Sequence, residues 1–255
     1  MNNWIFLRGL VREQRHWGGF VDVFEASIAD ARVHLVDLPG NGVLNHTRSP
    51  LSIVGMVDAC RNQIQQHGLE PPYHLVSISM GSMVAVQWSH DYPDEVASMV
   101  LINTSMRPFS SIFQRLRPRN YVRILKLILS NASATQWEQT ILNMTSHHPG
   151  EQVLESWKNL RERFPVSRWN ALRQLWAAAR FRAPIQKPHA KVLLLASERD
   201  QLVSAECSKA IAWLWHIPIK VHPSAGHDLP LDDGPWVAQQ LLDWMYPQIP
   251  QVSSS

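Results

Sequence analysis

The sequence predicts an α/β domain: a mostly parallel sheet of about six strands, with helices on both faces and one all-helical insertion. Three observations lead there. Short apolar runs alternate with amphipathic segments, as buried parallel strands alternate with crossover helices. The alternation stops between about residues 105 and 187, where no strand pattern is visible. The charge divides at the same place. The 255 residues carry 24 Lys+Arg and 21 Asp+Glu, a net +3, yet Arg107 to Lys187 holds 14 basic and 4 acidic residues, leaving 10 and 17 elsewhere. The expected organisation is a core of residues 1–104 and 188–250, a basic helical cap at 105–187, and a frayed tail at 251–255.

Taken in order, the strands are expected at Trp4–Leu7, Val33–Val36, His74–Ile78, Met99–Ile102, Val192–Ala196 and Ile217–Val221. Trp17, Phe20, Val21, Phe24 and Ile28 keep helical spacing after the first. Ile53, Met56, Val57, Cys60 and Ile64 do so after the second, and Gly68 is a natural stop. Met83, Val84, Val86 and Gln87 continue the pattern after the third. Pro235 suits the first turn of a last helix carrying Val237, Leu241, Leu242 and Met245. Within the insertion, Val122, Leu125, Ile128 and Leu129 form an expected apolar stripe beside Arg119, Arg123 and Lys126. Leu172, Leu175, Trp176 and Ala179 form another.

Composition excludes several classes. With 45% hydrophobic and 18% charged residues the chain is not disordered. Its two cysteines, Cys60 and Cys207, form no CxxC pair, so neither a disulfide framework nor a cysteine zinc site is expected. His147-His148 lacks partners at ligand spacing and reads as solvated; no metal or cofactor is expected. No secretory leader and no apolar run long enough for a membrane span is visible, which makes the cytoplasm the default location. The basic middle has no nucleic-acid motif or interleaved aromatic platform, so nucleic acid is not an expected partner.

The strongest local signal is Ser77-Ile78-Ser79-Met80-Gly81, set between a strand and a helix. Such a turn forces its central residue into a strained conformation and requires small neighbours two residues away. Gly81 meets this, and Ser77 stands where glycine is usual. A serine-rich turn alone is more often only a turn. A serine nucleophile also needs a base and a group to orient that base. Asp200 lies just past the fifth strand, with Glu198 as a competitor, and its distance from the strand and the following Leu202-Val203 favour Asp200. His227 lies in the loop after the sixth. Ser79, Asp200 and His227 thus each follow a parallel strand and share one sheet edge. The backbone N–H groups of Met80 and of Leu10, in the turn after the first strand, are the expected oxyanion donors.

On these residues the chain resembles the α/β-hydrolases over essentially its full length. The resemblance rests on Arg8-Gly9, on Asp37-Leu38-Pro39-Gly40-Asn41-Gly42, on Ser77–Gly81 and on the Asp200/His227 pair. More loosely, it resembles the small capped esterases typified by the pimeloyl-carrier-protein methyl ester esterase. The fold implied is the α/β-hydrolase fold without its usual N-terminal hairpin. The family usually has His-Gly where this chain has Arg8-Gly9. Arg8 either offers a cation to an anionic substrate group or is packed against a loop or paired with a carboxylate.

The reaction expected is cleavage of a carboxylic ester or thioester through an acyl-enzyme on Ser79. One alternative is a lyase resembling the menaquinone-pathway cyclohexadiene synthase, with arginines clamping a carboxylated substrate. Another is a hydrolase fold used only for binding. Arg115, Arg117, Arg119, Arg123 and Lys126 either dock an acidic acyl carrier protein, as the resemblance implies, or form a solvated basic face.

Overall fold

The computed structural model describes residues 2–147, 149 and 151–247. The expected tail at 251–255 lies outside them, as does His148. Strand β1 (Asn2–Leu7) is followed by α1 (Phe20–Ser27), β2 (Ala31–Val36), α2 (Ile53–Gln66), β3 (Tyr73–Ile78), α3 (Met80–Asp91) and β4 (Val96–Ile102). Five helices then follow one another: α4 (Ile112–Arg115), α5 (Tyr121–Leu129), α6 (Ala134–Thr145), α7 (Glu151–Arg163) and α8 (Arg168–Arg180). The core resumes with β5 (Lys191–Ser197), α9 (Ala205–Trp215), β6 (Ile219–His222), α10 (Leu229–Asp232) and α11 (Gly234–Met245).

The six strands form one sheet in the order β2-β1-β3-β4-β5-β6, parallel throughout. Strand addition reverses direction after β2, so β1 and β3 lie side by side at the switch point where ligands of such sheets bind. Period-two alternation sends Ile5 and Leu7 to one face, with Met56, Cys60, Val84, Trp88 and Ile211 of α2, α3 and α9. Trp4 and Phe6 go to the other, with Phe20 and Phe24 of α1 and Val237 and Leu241 of α11. Each fully buried side chain of this kind contributes roughly 1.5–3 kcal/mol. Both cysteines are free and buried, and burial pushes the Cys60 thiol up to about 12, which leaves it unreactive. Among the described residues no helix is long and apolar enough to cross a membrane.

The cap leaves and rejoins the core at one point. Arg107 and Arg182 form a parallel bridge, and the Ala183 N–H donates to the Arg107 carbonyl at 2.7 Å. Inside, Leu127, Ile128, Trp137, Ile141, Met144 and Ala171 pack together with Val11 of the core. Beneath α6 and α7, Arg12 pairs with buried Glu138 and lies 4.2 Å over the Trp157 ring. Arg161 lies 3.7 Å over Trp137, and burial lowers its pKa to about 10 despite the nearby Glu138.

Two expected cap faces are corrected. On α5 the inward residues are Leu127 and Ile128, whereas Val122, Leu125 and Leu129 are exposed. On α8 the inward face is Asn170, Ala171, Gln174 and Ala177, and Trp176 and Ala179 are exposed. The physical reason is what α8 covers. It lies on loop backbone whose polar groups need partners. Gln174 accepts the Val11 N–H at 2.9 Å and donates to Asn41 Oδ1 at 2.8 Å. Asn170 accepts from the Ser49 N–H at 3.0 Å and donates to the Thr47 carbonyl at 2.9 Å. Amide side chains answer those groups and alanines permit the close approach; leucines could do neither.

The turn after β2 is built around one carboxylate. Asp37 accepts the backbone N–H of Gln14 at 2.8 Å and of Val43 at 3.0 Å. Gly42 sits at φ +51°, and a Cβ there would stand 2.1 Å from Asp37 Oδ2. Gly42→Ala is therefore expected to destabilise by about 1–3 kcal/mol, read as a lowered urea midpoint. Burial, reinforced by Glu13 and opposed by the two N–H groups, raises the Asp37 pKa to about 6. An acid raised in the folded state binds its proton more tightly there, so its contribution weakens as pH rises from the unfolded pKa to about 6. The predicted loss over that interval is about 3 kcal/mol. Asp37→Asn, lower in stability overall, should show a flatter stability profile between about pH 4 and 6; an unchanged slope would refute the assignment.

Candidate active site

Ser79 occupies the sharp turn between β3 and α3 at φ 57° and ψ −119°, a conformation that L-residues avoid. What holds it there is visible. The Ser79 N–H donates to the Ile102 carbonyl at 2.9 Å, and the Ser79 carbonyl accepts from Thr104 Oγ1 at 3.1 Å. Gly81 lets the turn sit against β1, because a Cβ would stand 2.4 Å from the Leu7 carbonyl oxygen. Ser77, in the usual glycine position, turns its hydroxyl to the Val100 carbonyl at 3.0 Å and is wholly buried. The replacement is accommodated inside the sheet.

Asp200 and His227 meet as the sequence predicts. His227 Nδ1 lies 2.7 Å from Asp200 Oδ2, and both residues are buried. Asp200 Oδ1 accepts the Leu202 and Val203 N–H groups at 2.7 and 2.9 Å, so the carboxylate cannot swing away. Its acceptor oxygen assigns the proton to Nδ1 and leaves Nε2 as the lone-pair nitrogen. Glu198 instead pairs with Lys209 at the surface and is not part of this group. Ser79 and His227 line the same cavity. Among the described residues the Ser79 hydroxyl has no hydrogen-bond partner.

Gly9 and Leu10 form the turn facing Ser79, with a Gly9 Cβ position 3.1 Å from Ser79 Cβ. The Leu10 N–H has no acceptor among the described residues, in contrast to Val11, whose N–H is taken by Gln174. Met80 is the first residue of α3, where an N–H has no intrahelical partner. The rest of the cavity is mainly apolar, walled by Ile124, Leu127 and Ile128 of α5 and Trp137, Ile141 and Met144 of α6, with Arg8, Arg12, Thr145 and Asp228 also on its lining.

Arg8 is paired. Its guanidinium contacts both oxygens of Asp228, at 3.1 and 2.5 Å, and lies 4.8 Å over the Trp17 ring. The pair is buried, so the carboxylate-paired alternative describes Arg8, and its charge is already matched. Arg115 is also corrected. It is buried and donates to the Ala178 and Ala179 carbonyls at the end of α8, which removes it from any docking face. Arg119 and Arg123 are exposed, and Arg119 also reaches the Gln201 carbonyl at 3.3 Å. His147 is half-buried rather than solvated, with Nε2 3.0 Å from the Arg199 carbonyl. Among the described residues no cluster of three metal-ligating side chains exists.

One positioning residue escapes sequence reasoning. Asn103 follows β4 at φ 46°. Its amide nitrogen donates to the His227 carbonyl at 2.8 Å, and its amide oxygen accepts the Ser197 N–H at 2.8 Å. It thereby ties the ends of β4 and β5 to the histidine loop. The only signal was its place at a strand end on the active edge.

Comparison with known proteins agrees with this geometry. Over 92 residues the chain is 36% identical to a pimeloyl-[acyl-carrier protein] methyl ester esterase of Chromobacterium violaceum, covering 36% of this chain and 34% of that one. The chain thus spans about a third of that relative in the match. It is 28% identical over 238 residues, 85% of this chain and 82% of the other, to a Variovorax paradoxus protein named "Putative carbamate hydrolase RutD". Among solved structures, an esterase of Exiguobacterium antarcticum superposes with a TM-score of 0.79 at 16% identity, covering 96% of this chain and 91% of that one. An esterase of Thermogutta terrifontis gives 0.76 at 18%, covering 96% and 89%. At those identities the structures establish the fold. The alpha/beta hydrolase family pattern matches residues 4–240, and the chain belongs to that family.

Proposed function

We propose that this protein is a serine hydrolase that cleaves a carboxylic ester or thioester through an acyl-enzyme on Ser79. The observation that carries the reading is the buried Asp200–His227 pair at 2.7 Å, whose histidine lines the same cavity as a serine held at φ 57°. Ser79 Oγ attacks the acyl carbon as His227 Nε2 takes its proton. The tetrahedral oxyanion forms toward the Leu10 and Met80 N–H groups. Collapse expels the alcohol or thiol, which receives the proton from His227. Water then repeats the sequence and frees Ser79. Asp200 holds the imidazole through its Nδ1–H while it is charged.

The apolar walls from α5 and α6 fit an acyl chain. The relative named as a pimeloyl-carrier-protein methyl ester esterase supports an ester bond, and the one named for carbamate hydrolysis points to the same attack on a different carbonyl. The lyase alternative loses one of its two supports, because Arg8 is neutralised by Asp228. An acidic acyl carrier protein remains a proposed partner for exposed Arg119 and Arg123, without buried Arg115.

Turnover of short p-nitrophenyl esters should fall at least about a thousandfold in Ser79→Ala, with the fold intact by circular dichroism and no fluorophosphonate adduct formed. Wild-type rates in that variant would reject the mechanism. Asn103→Ala should lower kcat by about tenfold or more with little change in KM, since it displaces His227 without touching substrate. A change confined to KM would contradict that role.

A further inference from the structure

The two cap helices that roof the cavity are amphipathic in an unexpected sense. On α5, Ile124, Leu127 and Ile128 line the cavity beside Ser79. On the opposite side, at i, i+3 and i+7, Val122, Leu125 and Leu129 are 74%, 55% and 63% exposed. Next to that outer stripe run Arg119, Arg123 and Lys126, all exposed. Helix α8, packed against α5, repeats the arrangement. Its inner face carries Ala171 toward the cavity, and its outer face carries Trp169 and Trp176, 76% and 52% exposed. Exposed Arg168 and Arg180 flank them, Arg180 at 5.3 Å from the Trp176 ring. No acidic residue occurs between Glu95 and Glu138 or between Glu162 and Glu198, so neither helix carries a carboxylate.

Ile124, Leu127 and Ile128 of α5 and Ala171 of α8 line one cavity, and the exposed side chains of both helices face away from it, on the outside of the cap. We propose that this outer surface binds the anionic face of a phospholipid bilayer. Exposed aliphatic and indole side chains enter the headgroup boundary while the flanking arginines and lysine meet lipid phosphates. The charge pattern selects this occupant. A second copy docked by twofold symmetry would bring this cationic surface against the same surface, with no carboxylate on α5 or α8 to answer its arginines and lysine. A protein partner presents acidic groups at discrete points. Here the apolar groups spread over two helices and the cations sit at their margins, which matches a continuous anionic plane. Tryptophan, apolar in body with one polar N–H, suits that depth.

The proposal goes beyond the hydrolytic reading, and its test involves no turnover. The full chain is sedimented with phosphatidylcholine vesicles containing about one-third phosphatidylglycerol, and separately with pure phosphatidylcholine vesicles. Binding is expected to the first and not the second, and to weaken as salt is raised. The Arg123→Gln/Lys126→Gln variant should bind about 30-fold more weakly, because each substitution removes one cation from the anionic surface. The Leu125→Ser/Trp169→Ser variant should bind at least about tenfold more weakly. Thermal melts, unchanged in both, would show that the fold is intact. Failure of the wild type to sediment with anionic vesicles would overturn the proposal. So would equal binding to neutral vesicles, or wild-type binding by both variants. Dimerisation abolished by Leu125→Ser, or capture of an acidic acyl carrier protein without vesicle binding, would reassign the surface and equally overturn it.

Discussion

The active edge depends on how closely the start of α3 approaches the end of β1. Only a residue without a side chain fits at position 81, where a Cβ would meet the Leu7 carbonyl oxygen at 2.4 Å. That approach drives Ser79 into its strained backbone conformation and brings it against the Gly9 turn. Ser79 and the Gly9–Leu10 turn that faces it are therefore placed by one backbone contact. The strain, of order 1–3 kcal/mol, is sustained by hydrogen bonds to the Ser79 N–H and carbonyl from one segment, Ile102 and Thr104 at the end of β4.

A second set of contacts fastens the histidine loop to this edge from two sides. Arg8, at the end of β1, grips Asp228, the residue after His227. Asn103, at the end of β4, holds the His227 carbonyl itself. A buried ion pair is weak evidence for stability, because desolvation offsets much of the attraction. Its bidentate geometry nevertheless fixes position, and position is what a base needs. The pair also consumes the cation that the sequence alone left open as a substrate contact.

The strands were legible because burial on both faces writes a continuous apolar run, whatever the neighbours are. Ser79, Asp200 and His227 stood out in the sequence because an activated serine would demand particular residue types after particular strands. The faces of the cap helices were not. Periodicity counts apolar side chains without knowing what each face meets, and α8 meets loop carbonyls and amides that select Gln174 and Asn170. The same blindness hid the exposure of Leu125 and Trp176. Asp228 and Arg8 are 220 residues apart in the chain, so no local pattern could pair them. Asn103 carries no signature either, since an amide acquires a role only through partners from other strands.

The bridge between Arg107 and Arg182 gives the cap a property of its own. Where a long excursion begins and ends at one hydrogen-bonded point, its length hardly matters to the remainder of the domain, because closure entropy grows only logarithmically. The excursion behaves as a cassette. Its outer helices can lengthen or shorten without disturbing the register of β4 against β5, so long as the contacts of Gln174, Asn170 and Glu138 with the core are kept. Changes in the helices of the excursion can therefore accumulate while Ser79, Asp200, His227 and the contacts that support them stay on the strands and turns of the sheet.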